Sequence, residues 1–173
     1  MTPTGASILQ DRTIRFTASA GAVILVDQIT KYLVRSGIAL HDRIELIPHF
    51  LALTYVQNTG AAWGILGGWN GILAAFSLAV LGIIYAFRHR LAHEAGIVVL
   101  GIITGGIVGN LLDRLRLGWV TDMIDLHVFQ YHWPAFNVAD AAICLGVMYY
   151  VVRNLRAASG SRKNPDHASP SAR

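Results

Sequence analysis

Two of the ten acidic residues in the chain are hard to explain as solvated charges. Asp122 lies in VTDMIDL (120–126), and Asp140 in FNVADAAICLGVMYYVV (136–152). Asp140 sits about one turn inside an otherwise uninterrupted apolar run and has no basic residue within a helical turn on either side. It therefore needs a partner from elsewhere in the chain. Two aspartates that share one proton can activate a water and protonate a leaving amine, because like charges held together titrate in separated steps. Burial near lipid raises a carboxyl pKa further. Such a pair is an aspartic hydrolase without metal or serine, although a separation of 18 residues does not itself show that the two carboxylates meet.

Other polar groups are candidates with plainer readings. Asp27 and Lys31 are four apart with the acid first, the better order for a helical ion pair, and Lys31 can also snorkel outward. Arg114 and Arg116 suit an interface, with Arg114 also able to orient a nearby carboxylate, and Asp125 reads as a solvated loop charge. Of the seven histidines, His127 and His132 are five apart and His41 and His49 eight apart, and none forms an HExxH pattern, so no metal is expected. No GxSxG motif is present. Cys144, the single cysteine, reads as a small buried hydrophobe in its apolar run and excludes an internal disulfide.

The elements that must position these groups are membrane helices. Hydrophobic residues make up 54% of the 173 and charged residues 14%, against about 25% charged in soluble domains. The mean hydropathy is +0.48. A spanning helix needs about 20 mostly apolar residues, and four segments qualify: 14–34, interrupted by Asp27 and Lys31; 69–87, within a stretch 46–87 free of Asp, Glu, Lys and Arg; 95–112; and 135–152. The first has a basic flank like a signal peptide, but it runs into Asp27-Gln28 without a small-residue cleavage site, so it reads as a retained anchor. The glycines of TGGIVGN (104–110) suit close helix packing.

Arg12 and Arg15 precede the first span, Arg88 and Arg90 follow the second, and Arg153, Arg156, Arg162, Lys163 and Arg173 follow the fourth. With basic residues inside, this side is cytoplasmic and both termini lie there. Residues 1–13 are then a cytoplasmic tail, 14–152 the membrane domain, and 153–173 a cytoplasmic, disordered tail. The outer loops are 35–68, where RIELIPHFLALTYV suits a short hairpin or sheet turning at Pro48, and 113–134, rich in interfacial aromatics. In this topology Asp27, Asp113, Asp122, Asp125 and Asp140 all fall near the outer interface. The net charge of +4 is a topology signal, not a sign of nucleic-acid binding.

Five blocks carry a resemblance: VDQITK (26–31), QNTGAAW (57–63), GNLLDRL (109–115), VTDMIDL (120–126) and PAFNVADAAICLG (134–146). In this order they resemble the signature blocks of lipoprotein signal peptidase, the bacterial signal peptidase II, over roughly residues 24–152. The resemblance implies a membrane all-α bundle of four transmembrane helices, with a small extracytoplasmic β-sheet and a short outer-loop helix. It implies an aspartic endopeptidase of the bacterial inner membrane that cuts prolipoproteins before the diacylglyceryl-modified cysteine. The catalytic pair would be Asp122 and Asp140. Asn58, Asn110, Arg114, Asn137, Asp27 and Lys31 would bind substrate or support the pair. No cofactor is expected, and the partners would be the modified prolipoprotein and membrane lipids, with the enzyme a monomer. Trp63 and Thr121 depart from the family's usual Phe and Val. An ion-coupled transporter is the main rival, but it would distribute polar groups through the membrane depth. A structural subunit would leave the Asp and Asn cluster unexplained, and the GxGD motif of presenilin-type peptidases is absent.

Overall fold

The computed structural model describes residues 5–60, 68–128 and 131–161. Helix α1 (Gly5–Gly37) is followed by strands β1 (Arg43–Ile47) and β2 (Leu51–Asn58), helices α2 (Asn70–Ala95) and α3 (Ile97–Leu117), strands β3 (Val120–Val128) and β4 (Tyr131–His132), and helix α4 (Val138–Ser161). Helices α2, α3 and α4 are long and apolar enough to cross a membrane. Their large apolar side chains, such as Phe76, Ile83, Leu145 and Met148, point outward and are about half exposed or more. In water this surface would be unfavourable; in lipid it is the solvated face. Helix α1 is long enough, at 33 residues, but Asp27 and Lys31 interrupt its apolar face.

Helix α3 is the centre of the bundle and packs against all three other helices, most extensively α1. Its buried face is built from Leu100, Gly101, Gly105, Gly106, Gly109, Asn110, Leu111 and Asp113. Small residues let helix backbones approach where no water is present to drive them together, as the TGGIVGN stretch suggested. Gly109 shows why the side chain must be absent: a Cβ there would lie 2.6 Å from Asp27 Oδ2. At the end of α3, Gly118 takes φ 85° and returns its N–H to Arg114 O, the left-handed cap that turns the chain into β3.

The strands form an antiparallel sheet in the order β1-β2-β3-β4. The β1–β2 hairpin turns at Pro48 to Phe50, where the proline was expected. Val34 of α1, Tyr55 of β2 and Met123 of β3 form its core, so the sheet rests on the C-terminal end of α1. The 113–134 segment is not a loop. Asp113 lies within α3, and β-branched residues of VTDMIDLHV form the longest strand, paired through Asp122↔Val56 and Asp125↔Ala52. Helix also continues beyond the expected spans, from Gly5 and through Ser161. The disorder expected after 153 is therefore helix as far as Ser161; residues 162–173 and Trp63 lie outside the described residues, and no short outer-loop helix occurs among the described ones.

Candidate active site

Asp122 comes from the third position of β3 and Asp140 from the first turn of α4. Both line one open cavity of about 1080 Å³, together with Asn58, Asn110 and Arg114. All four carboxylate oxygens accept a hydrogen bond from a neutral N–H. Asn137 Nδ2 donates to Asp122 Oδ1 at 2.7 Å and Asn58 Nδ2 to Asp122 Oδ2 at 2.8 Å. Asn110 Nδ2 donates to Asp140 Oδ1 at 2.7 Å and the Asn137 backbone N–H to Asp140 Oδ2 at 3.2 Å. Among the described residues neither carboxylate is paired with a cation. Burial, and then the charge of Asp140, push the Asp122 carboxyl up to about 7, against the opposing pull of the Asn58 and Asn137 hydrogen bonds.

The local sequence accounts for Asn137. It immediately precedes α4, and its Oδ1 accepts the Asp140 N–H at 3.0 Å while its own N–H reaches the Asp140 carboxylate. This is a reciprocal helix cap built from N-x-x-D. Because the remaining Nδ2 reaches Asp122, one asparagine both begins the helix and ties the two carboxylates together.

Behind the carboxylates lies a second, closed polar layer. Lys31 is 0% exposed and lies 2.9 Å from Asp27 Oδ2 and 3.3 Å from Asp113 Oδ2. The pairing with Asp27 matches the sequence reading, but Lys31 does not snorkel outward: two buried carboxylates and Asn110 Oδ1 draw it inward. Asp27 Oδ1 accepts the Ala139 N–H at 3.0 Å, and so holds the first turn of α4. Asp113 Oδ2 accepts the Thr121 N–H at 3.0 Å, and Gln28 Nε2 bridges Asp27 and Asp113. Sequence reasoning did not identify Asp113, Gln28 or the Arg35 Nη1 bond to Thr121 Oγ1 at 3.0 Å. The available signal was that an acid inside an apolar helix needs a partner; which partner depends on helix contacts that spacing does not reveal.

Three further expectations need correction. Asp125 is not solvated: it is 8% exposed and lies 3.3 Å from Arg43 in the sheet. Cys144 is exposed and lines the cavity, one turn of α4 beyond Asp140. Arg114 is not simply interfacial. It faces the cavity, with a buried Nε that has no hydrogen-bond partner, while Arg116 remains exposed in the last turn of α3. Among the described residues no group of three or more His, Cys, Asp and Glu side chains is placed to hold a metal ion. The rest of the cavity wall is mostly apolar, with Val56, Leu126, Trp133, Pro134, Phe136 and Leu145, and Gln57 and Thr59 add polar groups.

Helices of membrane-spanning length, with Asp122 of β3 and Asp140 of α4 brought to one mostly apolar cavity, define an integral membrane protein with a carboxylate-lined site. The family model described as signal peptidase (SPase) II matches residues 19–156, and the chain belongs to that family. It is 40% identical to the lipoprotein signal peptidase of Syntrophus aciditrophicus, over 80% of this chain and 91% of that one. It is 46% identical to that of Symbiobacterium thermophilum, over 72% and 83%. A solved bacterial membrane enzyme, determined by the in meso method at 2.3 Å resolution, superposes with a TM-score of 0.78 at 32% identity, covering 89% of this chain and 94% of the other.

Proposed function

We propose that the protein removes signal peptides from prolipoproteins as an aspartic endopeptidase, cutting just before the diacylglyceryl-modified cysteine, with Asp122 and Asp140 as the catalytic pair. The observation that carries this reading is the arrangement of two carboxylates on one cavity, Asp122 buried and Asp140 half-buried, each held by neutral donors and, among the described residues, neither in an ion pair. A cation in contact would favour ionisation of both; neutral amides orient the pair and leave a proton to be shared. One carboxylate takes a proton from the attacking water, whose oxygen bonds to the scissile carbonyl carbon. The other gives its proton to the carbonyl oxygen. On collapse of the tetrahedral intermediate the C–N bond breaks: the first carboxyl gives its proton to the leaving amine, one hydroxyl of the gem-diol returns its proton to the second carboxylate as the product carboxyl forms, and the pair is left with one proton as before.

The apolar parts of the wall accept acyl chains, and Arg114 lines the same cavity. Helix α1 acts as the fourth span, because its two intramembrane charges are sealed inside the bundle and its outer face, with Leu25, Ile29 and Leu33, is apolar. Both termini are cytoplasmic, in the bacterial inner membrane, and the site faces outward; the enzyme works as a monomer without a cofactor. In a Cys144→Ser background, Ser36→Cys at the site end should react with an impermeant thiol reagent applied outside intact cells, and Arg156→Cys only after the membrane is opened. The reverse pattern would invert the topology.

The activity is tested with purified protein and a prolipoprotein in diacylglyceryl-modified and unmodified forms. The modified form should be cut on the N-terminal side of the cysteine, as read by product mass, and the unmodified form should not. Cleavage of neither would defeat the assignment. The same assay gives a pH dependence. Since Asp122 holds its proton up to about 7, rising pH removes the shared proton, and kcat/KM should fall above that point by about tenfold per pH unit.

A further inference from the structure

Lys31 and Asn110 meet between α1 and α3, with Lys31 Nζ donating to Asn110 Oδ1 at 2.8 Å. The other end of the same amide, Nδ2, donates to Asp140 Oδ1 at 2.7 Å. A lysine ammonium has three donors and no acceptor, and an ionised carboxylate has acceptors and no donor. The chemistry of the two neighbours therefore determines which way the amide lies. Without the ammonium, an asparagine between α3 and the cavity is free to present either end to Asp140, and its oxygen would set two acceptors against each other.

We infer that Lys31 is a positioning residue for Asp140: by engaging Asn110 Oδ1, its ammonium forces the amide to present Nδ2, not oxygen, to the carboxylate. The lysine is itself immobilised by Asp27 and Asp113, on opposite sides of the α1–α3 contact. Its full burial leaves it no competing partner in solvent. Lys31 thus acts on the reaction at one remove, through an amide that touches both groups. The inference rests on the reading of Asp140 as one of the catalytic pair.

The test is a double-mutant cycle of Lys31→Met and Asn110→Leu, measured as kcat per folded enzyme on the modified prolipoprotein. It is run in an Asp113→Asn background, so that loss of the lysine leaves one buried carboxylate and not two. Lys31→Met should lower kcat at least about tenfold, less than the roughly 10²–10³-fold cost of removing a preorganised donor because the amide is misdirected and not lost, with KM within about twofold. In the Asn110→Leu background, where there is no amide to orient, the same change should lower kcat by less than about twofold further. Losses that multiply, or a Lys31→Met enzyme that loses folded yield while keeping full kcat, would overturn the inference. If the lysine variant does not fold, Asn110→Asp serves instead. It keeps a partner for Lys31 but presents only acceptors to Asp140, so kcat should fall while thermal stability holds; full kcat would overturn the inference. Full activity of Asp140→Asn would instead defeat the catalytic pair itself, whatever the cycle showed.

Discussion

Asp122→Asn and Asp140→Asn should each reduce cleavage of the modified prolipoprotein by roughly 10²–10⁴-fold, the range expected when positioned proton transfer is lost. Each substitution keeps the side-chain size and leaves Asn58, Asn110 and Asn137 something to bond, so the protein should fold and still retain substrate. What disappears is the ability to exchange a proton with the water and the leaving amine. The double variant should be hardly worse than either single, because a pair that shares one proton acts as a unit. Asp125→Asn should keep most of the activity, since that carboxylate pairs with Arg43 in the sheet and does not line the cavity. Rates measured alongside bound-substrate yield decide the matter. Near-wild-type turnover in either catalytic variant would exclude the mechanism.

The buried layer should give the largest stability effect. Lys31→Ala leaves Asp27 and Asp113 facing each other without a cation, at 0% and 1% exposure. Breaking a buried pair in this way costs about 3–5 kcal/mol, a large part of the roughly 5–15 kcal/mol that keeps a domain of ordinary stability folded. Asp27→Ala leaves Lys31 its second partner, Asp113, but orphans the Ala139 N–H at the start of α4, at a cost of about 1–3 kcal/mol. The double variant should lose less than the sum of the two, since one uncompensated charge is removed with the other. Unfolding in detergent, followed by heat or denaturant, measures all three. Strictly additive losses would mean that the two residues do not stabilise each other.

Much of this site is legible in the chain because lipid makes charge expensive. A carboxylate inside an apolar helix stands out, and so Asp27 and Asp140 can be picked out before any geometry is known. The i,i+4 spacing of Asp27 and Lys31 also carries its own geometry. The hairpin at Pro48 is readable for a similar reason, since a proline that cannot join a ladder marks the turn. What spacing does not carry is which helix faces which. Asp113 becomes the second partner of Lys31 only because glycines bring α3 against α1, and the Asn137 bridge exists only because the first half of β3 runs beside the start of α4. Thr121 illustrates the same limit. Its departure from the family's usual valine is plain in the sequence, but its hydroxyl acquires meaning only once Arg35 is seen to donate to it. The strand character of 120–128 is masked in the chain because Asp122 and Asp125 interrupt its apolar residues, whereas in the fold one bonds asparagines and the other an arginine.

The bond from the Ala139 N–H to Asp27 joins residues 112 apart in the chain. During synthesis, α1, α3 and β3 are all made before α4, so Asp27, Lys31 and Asp113 can find one another while Asp122 still has no companion. Asp140 and Asn137 arrive last, on the helix whose docking both supplies the second carboxylate and bridges it to the first. With the proposed catalytic pair, the nascent chain is proteolytically silent until its final helix is in place. A peptidase assembled in this order would not attack signal peptides during its own insertion, and the order of synthesis would do the work of a removable pro-segment.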